Sequence, residues 1–355
     1  MGSGGFAQDE PISIFPEEPE PFEGPEFGSS PQTPIKLTSR LSTSDYAFRA
    51  IARGGGLLVL VLMVAVGSFL AYRATQALGR AGFSFLTTQD WNPDGGKFGI
   101  AAIMVGTVLI ALVAICVAVP LALGAALYIS EYAPRRIQRL LVSMVDLMAA
   151  VPSIVFGLWG FFFLEWRMTS LSRWLNDWLF WIPLFKVNGV TRNYTGPTAT
   201  FYTSSSFIAG VVVALMVVPI ATSIMREAFS QAPAGEREGA YALGATRWGM
   251  ISAVVLPFGR GAMIGGTMLG LGRALGETIA VSLIISPVFI IQPHILQNGT
   301  SSVSSTIALH YAEATPFGLS ALFAAGLALF IVTLIVNFGA AVIVSRSRSG
   351  AISEA

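Results

Sequence analysis

The chain has 355 residues, of which 54% are hydrophobic and 12% are charged, and its mean hydropathy is +0.68. Soluble domains carry about 25% charged residues, so this composition excludes an ordinary soluble protein and indicates a membrane protein with several spans. The net charge of +1 offers no basic surface for nucleic acid, and the single cysteine, Cys116, excludes an intrachain disulfide.

Residues 1–50 differ in composition from everything that follows them. Seven acidic residues precede the first lysine or arginine, and prolines interrupt the segment throughout. Such a segment cannot bury enough apolar surface to fold alone. We therefore predict a disordered, acidic, proline-rich cytoplasmic tail, with docking onto a basic partner as the functional alternative.

Six hydrophobic spans follow the tail, each long enough at about 1.5 Å per residue to cross about 30 Å of hydrocarbon. They lie near residues 54–74, 99–129, 146–165, 206–226, 261–289 and 317–344. Three of them contain a proline, at Pro120, Pro152 and Pro219, where we expect the helix to kink. The prediction is an all-α membrane domain over residues 51–345, followed by a short cytoplasmic tail at 346–355.

Basic residues orient these spans. With the N-terminus in the cytoplasm, 13 of the 21 lysines and arginines fall in cytoplasmic segments and seven in outer segments. Because positive charge concentrates on the cytoplasmic side of a membrane protein, we predict that both termini are cytoplasmic.

The remaining basic residue, Arg273, lies within the predicted fifth span, four residues before Glu277. An arginine at membrane depth costs about 2.5–3.5 kcal/mol on insertion scales, so it persists mainly beside a polar path or a partner. In a continuous helix this spacing puts both side chains on one face, within ion-pairing reach. Gly266, Gly270 and Gly276 lie on or beside that face and allow another helix to approach closely. A fixed positive charge among small residues indicates a passage for an anion.

The loop at 227–257, between the fourth and fifth predicted spans, carries a twenty-residue pattern that runs from Glu238 to Pro257. It begins with helix formers and turns at Gly244, where a positive φ costs little. It ends at Pro257, which cannot continue a helix. We therefore predict a short helix–turn–helix on the cytoplasmic face, whose corner of small residues fits a groove on another protein.

This loop resembles the signature of permease subunits of ATP-binding-cassette importers: Glu-Ala-Ala, three residues, Gly, nine residues, Ile, any residue, Leu-Pro. The chain matches it at Glu238, Ala240, Gly244, Leu256 and Pro257, with Gly239 and Val254 as replacements of similar size. The resemblance implies the type I importer permease fold, with six transmembrane helices. It also implies that these seven positions form coupling helices that dock into a separate ATPase subunit.

Three further stretches resemble the C-type permease family of phosphate importers, PstC, over about residues 50–345. They are Trp91-Asn-Pro93, Ala150-Val-Pro-Ser-Ile-Val-Phe-Gly-Leu-Trp-Gly160 and Arg273-Ala-Leu-Gly-Glu-Thr-Ile-Ala-Val281. In the sister family, PstA, the residues after Gly-Glu-Thr tend to be Ala-Pro-Leu. The resemblance implies half of a phosphate pathway, with Arg273, Glu277 and Thr278 as the residues that line it.

The same resemblance implies a set of partners in the inner membrane of a bacterium. They are a PstA-like sister permease, two copies of a PstB-like ATPase that bind ATP and Mg, a PstS-like phosphate-binding protein, membrane lipids and, as a further candidate, a PhoU-like regulator. The chain has no Walker A sequence, and its two histidines lack neighbours at metal-ligand spacing. We therefore expect neither enzyme activity nor a resident cofactor or metal.

Three alternatives stay open from the sequence. The cargo is another oxyanion, such as sulfate or molybdate; the chain is the PstA-type sister subunit; or the chain is a membrane scaffold that reports phosphate status. A secondary carrier that needs no ATPase is disfavoured by the coupling-loop pattern and by the lack of a visible inverted repeat.

Overall fold

The computed structural model describes residues 42–190, 196 and 199–347, and most of the acidic tail lies outside these residues. The chain divides into two units, Met1–Val59 and Leu60–Ala355. The described part is mostly helical, which confirms the all-α prediction. Within these described residues, five helices are long and apolar enough to cross a membrane, and a bent pair of helices makes a sixth if it is one span.

The helices follow one another with few strands between them. In chain order they are α1 Thr43–Ala81, α2 Ser84–Thr87, α3 Ala101–Leu127, α4 Arg135–Ala150, α5 Ser153–Trp159, α6 Glu165–Leu179, α7 Ala199–Tyr202, α8 Ser206–Ser230, α9 Ala234–Ala242, α10 Arg247–Met250, α11 Leu256–Gly276, α12 Ile279–Ile284, α13 Val303–His310 and α14 Pro316–Ser347. Three π-helical turns extend or join them: Tyr128–Tyr132, Gly160–Leu164 and Ile251–Val255. A 3₁₀ turn covers Pro183–Phe185, and a short antiparallel hairpin, β1 Trp91–Asn92 and β2 Lys97–Phe98, precedes α3.

Helix α1 begins inside the segment that we predicted to be disordered. The backbone N–H of Ser42 donates to the Asp45 carboxylate at 3.0 Å, an interaction that satisfies a free donor at the start of a helix. The prediction of disorder over residues 1–50 is therefore wrong for residues 43–50. Residues 1–41 lie outside the described part of the chain, so for them it stays a prediction.

Pro152 separates two helices instead of kinking one. Val151 and Pro152 both have extended backbone. The axis of α4 makes an angle of 91° with the helical segment Ser153–Leu179, which comprises α5, a π turn and α6. The cause is local: the proline ring disfavours helical backbone at the residue before it, and the proline has no N–H to donate. Residues 146–165 are thus not one continuous helix, and the prediction of a single unbroken span there is wrong. Pro120 and Pro219, by contrast, lie within the continuous helices α3 and α8.

Helices α3 and α8 form the centre of the bundle. Their contact is lined by fully buried small residues such as Ala114 and Ala214, and a Cβ at Gly210 would lie only 2.6 Å from the Val113 side chain. Helix α11 packs on this pair in the same way, since a Cβ at Gly270 would lie 2.5 Å from Val217. Small residues thus let three helix backbones approach closely, as predicted for Gly266 and Gly270, whereas a Cβ at Gly276 would meet no atom within 4 Å.

The first and last spans are joined by a hydroxyl group. The Ser320 hydroxyl of α14 accepts from the Ala77 N–H at 3.1 Å and donates to the Arg73 carbonyl at 2.7 Å, both on α1. A side chain from one helix therefore enters the backbone hydrogen-bond ladder of the other.

Candidate functional site

The fifth span is broken at the residues that we singled out. Helix α11 ends at Gly276, the backbone is extended at Glu277 (φ −65°, ψ 128°), and α12 begins at Ile279. The Glu277 carboxylate accepts from the Ala280 N–H at 3.4 Å, and the Thr278 hydroxyl donates to the Gly276 carbonyl at 3.0 Å. Because these short-range bonds replace helical ones, the prediction of one continuous span over 261–289 is wrong.

The break lies within the length of the bundle, between two closely packed stretches, although Gly276 and Ile279 beside it are exposed. Gly270, less than one turn before Arg273, contacts Val217 near the middle of α8 and Ile115 near the middle of α3. Beyond the break, Ala280 of α12 packs so closely on Gly157 that a Cβ there would lie 2.8 Å from the Ala280 Cα. Non-helical backbone at this depth is tolerated only where protein covers it or where it lines a polar cavity.

A hydroxyl-rich segment covers one side of the break. The Ser304 hydroxyl of α13 donates to the Leu275 carbonyl at 3.4 Å, which satisfies one of the carbonyls freed at the end of α11. The start of α13 is fixed by Thr107, whose hydroxyl accepts from the Val303 N–H at 2.9 Å. Our sequence analysis missed this segment, although the run of serines and threonines at 300–306 is a visible signal.

Arg273 lies in the last turn of α11, where the negative end of the helix dipole favours a cation. Its Nε atom is buried without a hydrogen-bond partner, and it forms no ion pair with a carboxylate of the described residues. The predicted pair with Glu277 is therefore wrong. Since the helix ends at Gly276, the backbone no longer turns Glu277 back onto the face of Arg273.

The arginine borders an open groove of about 1200 Å³ between α11 and α14. Thr333 and Asn337 of α14 contribute the other polar side chains. The remaining lining residues are small or apolar: Ile220, Gly265, Met268, Leu269, Gly272, Ala340 and Ala341. A guanidinium and an amide beside apolar walls provide donors for an oxyanion, with little to hold a cation.

The predicted helix–turn–helix is present on the loop after α8. Helix α9 ends at Ala242, and Gly244 turns the chain with φ +82°, as its glycine predicted. The Thr246 hydroxyl then accepts from the Gly249 N–H at 3.1 Å and caps α10. The turn therefore has local causes in the sequence at both ends.

The expectation that a helix ends at Pro257 is wrong. The chain continues from α10 through a π turn into α11, and the Leu256 N–H bonds to the Ile251 carbonyl, five residues back. A proline clashes with the carbonyl four residues before it in an α-helix. The wider π turn changes the path of the backbone just before the proline, so the helix passes through it.

The motif residues differ in exposure. Glu238, Gly239, Gly244 and Pro257 are exposed, whereas Ala240, Val254 and Leu256 are half-buried. Large apolar side chains surround the exposed corner, namely Tyr241, Leu243 and Trp248, and Leu243 is 91% exposed. Exposed apolar side chains grouped in this way are typical of a protein interface.

Arg237, one residue before the motif, was counted in the sequence only as a cytoplasmic charge. Its Nη1 atom lies 3.0 Å from the Glu131 Oε2 atom, and its Nε donates to the Ala232 carbonyl at 3.2 Å. Its Nη2 donates to the Phe229 carbonyl. No local spacing could predict this cluster, because Glu131 lies 106 residues away in the chain.

The amino-acid sequence of this chain is similar to that of a known family and of proteins within it. Residues 118–349 match the family described as binding-protein-dependent transport system inner membrane component. The chain is 39% identical over 305 residues to the phosphate transport system permease protein PstC of Xylella fastidiosa (strain 9a5c), covering 86% of this chain and 91% of that protein. It is 41% identical over 286 residues to the protein of the same name in Mycobacterium leprae (strain TN), covering 79% and 86%.

A solved structure supports the same architecture. A bacterial ABC transporter involved in the import of the acidic polysaccharide alginate contains a chain that aligns with a TM-score of 0.51 at 20% identity. The alignment covers 85% of this chain and 99% of that one. At this identity the likeness concerns the fold alone.

Proposed function

Because the chain belongs to the family of binding-protein-dependent transport system inner membrane components, we propose that it is half of the pathway that carries inorganic phosphate across a bacterial inner membrane. Support for the cargo comes from relatives named as phosphate permeases that align over most of the chain. The observation that carries the proposal is Arg273, an arginine without an ion-pair partner in the described residues, beside a groove and a broken helix.

The arginine is suited to an anion for three reasons. Its guanidinium is planar and stays charged, and its donors match the oxygens of phosphate. A broken helix exposes backbone and small residues at the depth where transporters bind their substrates. Phosphate passing along the groove would meet Arg273 on one side and the Asn337 amide on the other. In this proposal Glu277 and Thr278 hold the break open rather than bind Arg273.

The groove is open, and a second subunit would complete it. We assign its free side to a PstA-like sister permease, with six spans in this chain and both termini in the cytoplasm. Two PstB-like ATPases would dock at the corner formed by α9 and α10, and a PstS-like protein would deliver phosphate at the outer face. A PhoU-like regulator is a further candidate partner.

The chain itself is a transport subunit and not an enzyme. ATP and Mg belong to the ATPase partners in this proposal, and this chain's share of the cycle is mechanical. The corner at Gly244 would receive the motion of the ATPase, and the spans would change the access of the groove in response.

Reconstituted transport tests the cargo and the role of Arg273 together. The complex with its ATPase and sister subunits is placed in liposomes, and uptake of labelled phosphate is measured with sulfate or molybdate as competitor. We expect Arg273→Gln to lower uptake about 100-fold, because a charge-assisted hydrogen bond contributes about 1.5–3 kcal/mol and 1.4 kcal/mol is tenfold. Arg260→Gln, an exposed arginine on the same helix, is the matched control and should transport normally. Normal uptake by Arg273→Gln, or competition by sulfate, would contradict the proposal.

Docking of the ATPase is tested at the exposed corner. Leu243→Ser removes the most exposed apolar side chain there and leaves the backbone turn unchanged. We expect less ATPase to co-purify with this variant, while the protein still inserts into the membrane. Phe83→Ser is the matched control, because Phe83 is 92% exposed but lies after α1, far from the loop in sequence. Equal ATPase recovery from both variants would remove the docking assignment.

A further inference from the structure

The helix–turn–helix formed by α9 and α10, which we call the coupling corner, makes polar contacts with the ends of two spans through the Arg237 side chain. Arg237 of α9 reaches three acceptors: the Glu131 carboxylate and the carbonyls of Phe229 and Ala232. We call these four residues the Arg237 clasp. Phe229 belongs to the last turn of α8, where carbonyls have no helical partner, and Glu131 belongs to the π turn that ends α3. One guanidinium therefore joins α9 to the ends of two spans.

The carboxylate of the Arg237 clasp is more deeply buried than its guanidinium. The Glu131 side chain is only 4% exposed, whereas the Arg237 side chain is 22% exposed. The second carboxylate oxygen of Glu131 is buried with no hydrogen-bond partner in the described part of the chain. Arg237 is thus the charge that compensates this carboxylate, and withdrawing it would leave a buried negative charge. Helix α9 is consequently held against α3 and α8 rather than free to swing.

The two fastened spans lead directly to the groove. Helices α3 and α8 pack tightly through their small residues, and both contact Gly270 of α11, through Ile115 and Val217. Gly270 lies three residues before Arg273. These contacts give a continuous packed route from α9 through α3 and α8 to the last turn of α11, with Pro120 and Pro219 lying within the two helices.

We propose that Arg237 is the positioning residue that transmits ATPase motion from the coupling corner to the phosphate groove. This inference rests on the proposed function, since it needs an ATPase at the corner and phosphate in the groove. Arg237 contacts neither partner in this scheme; it acts through Glu131 and the end of α8. Its loss should therefore separate ATP hydrolysis from transport without releasing the ATPase.

The test measures three quantities on one reconstituted complex: the ATPase retained on purification, the rate of ATP hydrolysis, and the phosphate imported per ATP hydrolysed. Arg237→Lys keeps the charge but loses the planar fork that reaches three acceptors. We expect the amount of ATPase retained and the rate of ATP hydrolysis to stay within about twofold of those of the unmodified complex. The phosphate imported per ATP should be lower by about tenfold, because one charge-assisted hydrogen bond is lost. Glu131→Gln keeps the shape of the acceptor and should show the same pattern, so a folding defect in either variant does not end the test.

Glu227→Gln is the matched control, because Glu227 also faces an arginine, Arg226, but at 4.0 Å and with a side chain 60% exposed. It should leave all three quantities unchanged. A rescue arm replaces Arg237 and Glu131 with cysteines, and Cys116 with serine, and bridges the pair with a short bis-maleimide. Import per ATP should rise again on bridging.

Unchanged import per ATP in both clasp variants would overturn the inference, and so would a bridged pair that stays uncoupled. Loss of the ATPase from Arg237→Lys would also overturn it, since Arg237 would then serve docking rather than transmission. Failure of the proposed function looks different: Leu243→Ser would keep its ATPase, or the unmodified complex would not import phosphate.

Discussion

Two arginines near the ends of helix α9 and helix α11 have opposite surroundings. Arg237 reaches three acceptors, one of them a buried carboxylate, whereas Arg273 has a buried Nε with no partner among the described residues and borders an open groove. In the sequence Arg273 stands out as the one basic residue well inside a predicted span, whereas Arg237 is one of 13 cytoplasmic charges. In our proposals the satisfied arginine fastens elements of the fold, and the unsatisfied one keeps its donors for an anion.

Exchanging the charges at the broken helix gives the largest expected effect. In Arg273→Glu combined with Glu277→Arg, uptake should fall by more than the roughly 100-fold expected for Arg273→Gln, because a carboxylate at position 273 repels phosphate in addition to removing the guanidinium donors. Uptake of labelled phosphate by the reconstituted complex is the measurement. Recovery of uptake by the exchanged protein would mean that the two side chains pair during the transport cycle. Arg273 would then have a structural role, as Arg237 has.

Removing the carboxylate of the clasp should affect stability more than removing an exposed one. Glu131→Ala removes the buried acceptor of a charge-assisted hydrogen bond and leaves the partly exposed Arg237 with its two carbonyls, so it should cost about 1.5–3 kcal/mol. Glu227→Ala removes an exposed partner and should cost about 0–1 kcal/mol. The temperature of half-inactivation of the two purified variants in one detergent measures the difference. Equal temperatures would show that the clasp is no stronger than a surface pair.

Glu277 should matter less than either arginine. Glu277→Gln keeps an oxygen that accepts from the Ala280 N–H, so uptake should stay within about threefold of normal, while Glu277→Ala loses a cap worth about 1 kcal/mol. Side-by-side uptake and thermal inactivation of the two variants check this ranking. A Gln variant as inactive as Arg273→Gln would show that the carboxylate charge itself is needed at the break.

Deletion of residues 2–40 should have the smallest effect. The composition of this segment does not support a folded domain, and the first apolar span begins well after the segment ends. Phosphate uptake should remain within about twofold of normal, since the tail supplies none of the contacts described at either arginine. If uptake fell sharply at normal protein levels, a regulatory or assembly contact of the tail would have to be added.

The sequence predicted what depends on composition and on short motifs. The all-α class, the family and the Gly244 turn are confirmed, because each follows from hydropathy or from neighbouring residues. The docking role of the loop and the anion role of Arg273 stay predictions. The acidic tail stays a prediction too, apart from the helical residues 43–50.

One failure depended on a contact between distant parts of the chain, and others on backbone geometry that hydropathy does not register. The break after Gly276 is stabilised by Ser304, which lies 29 residues from the carbonyl that it satisfies. Pro152 separates two helices whereas Pro120 does not, and a hydropathy profile treats the two prolines alike. Helical periodicity places Arg273 beside Glu277 only if the helix is continuous. Because α11 ends at Gly276, the predicted Arg273–Glu277 pair does not form.

The hydroxyl of Ser320 has a consequence for how the protein is made. It joins the backbone of α1 at Arg73 and Ala77 across more than 240 residues of chain. A ribosome adds about 5–20 residues per second, so α1 is synthesised more than ten seconds before its partner exists. During that interval the first span must wait in lipid or beside an insertion factor. We therefore expect late truncations of the chain to leave α1 accessible to cross-linking, and the completed chain to protect it.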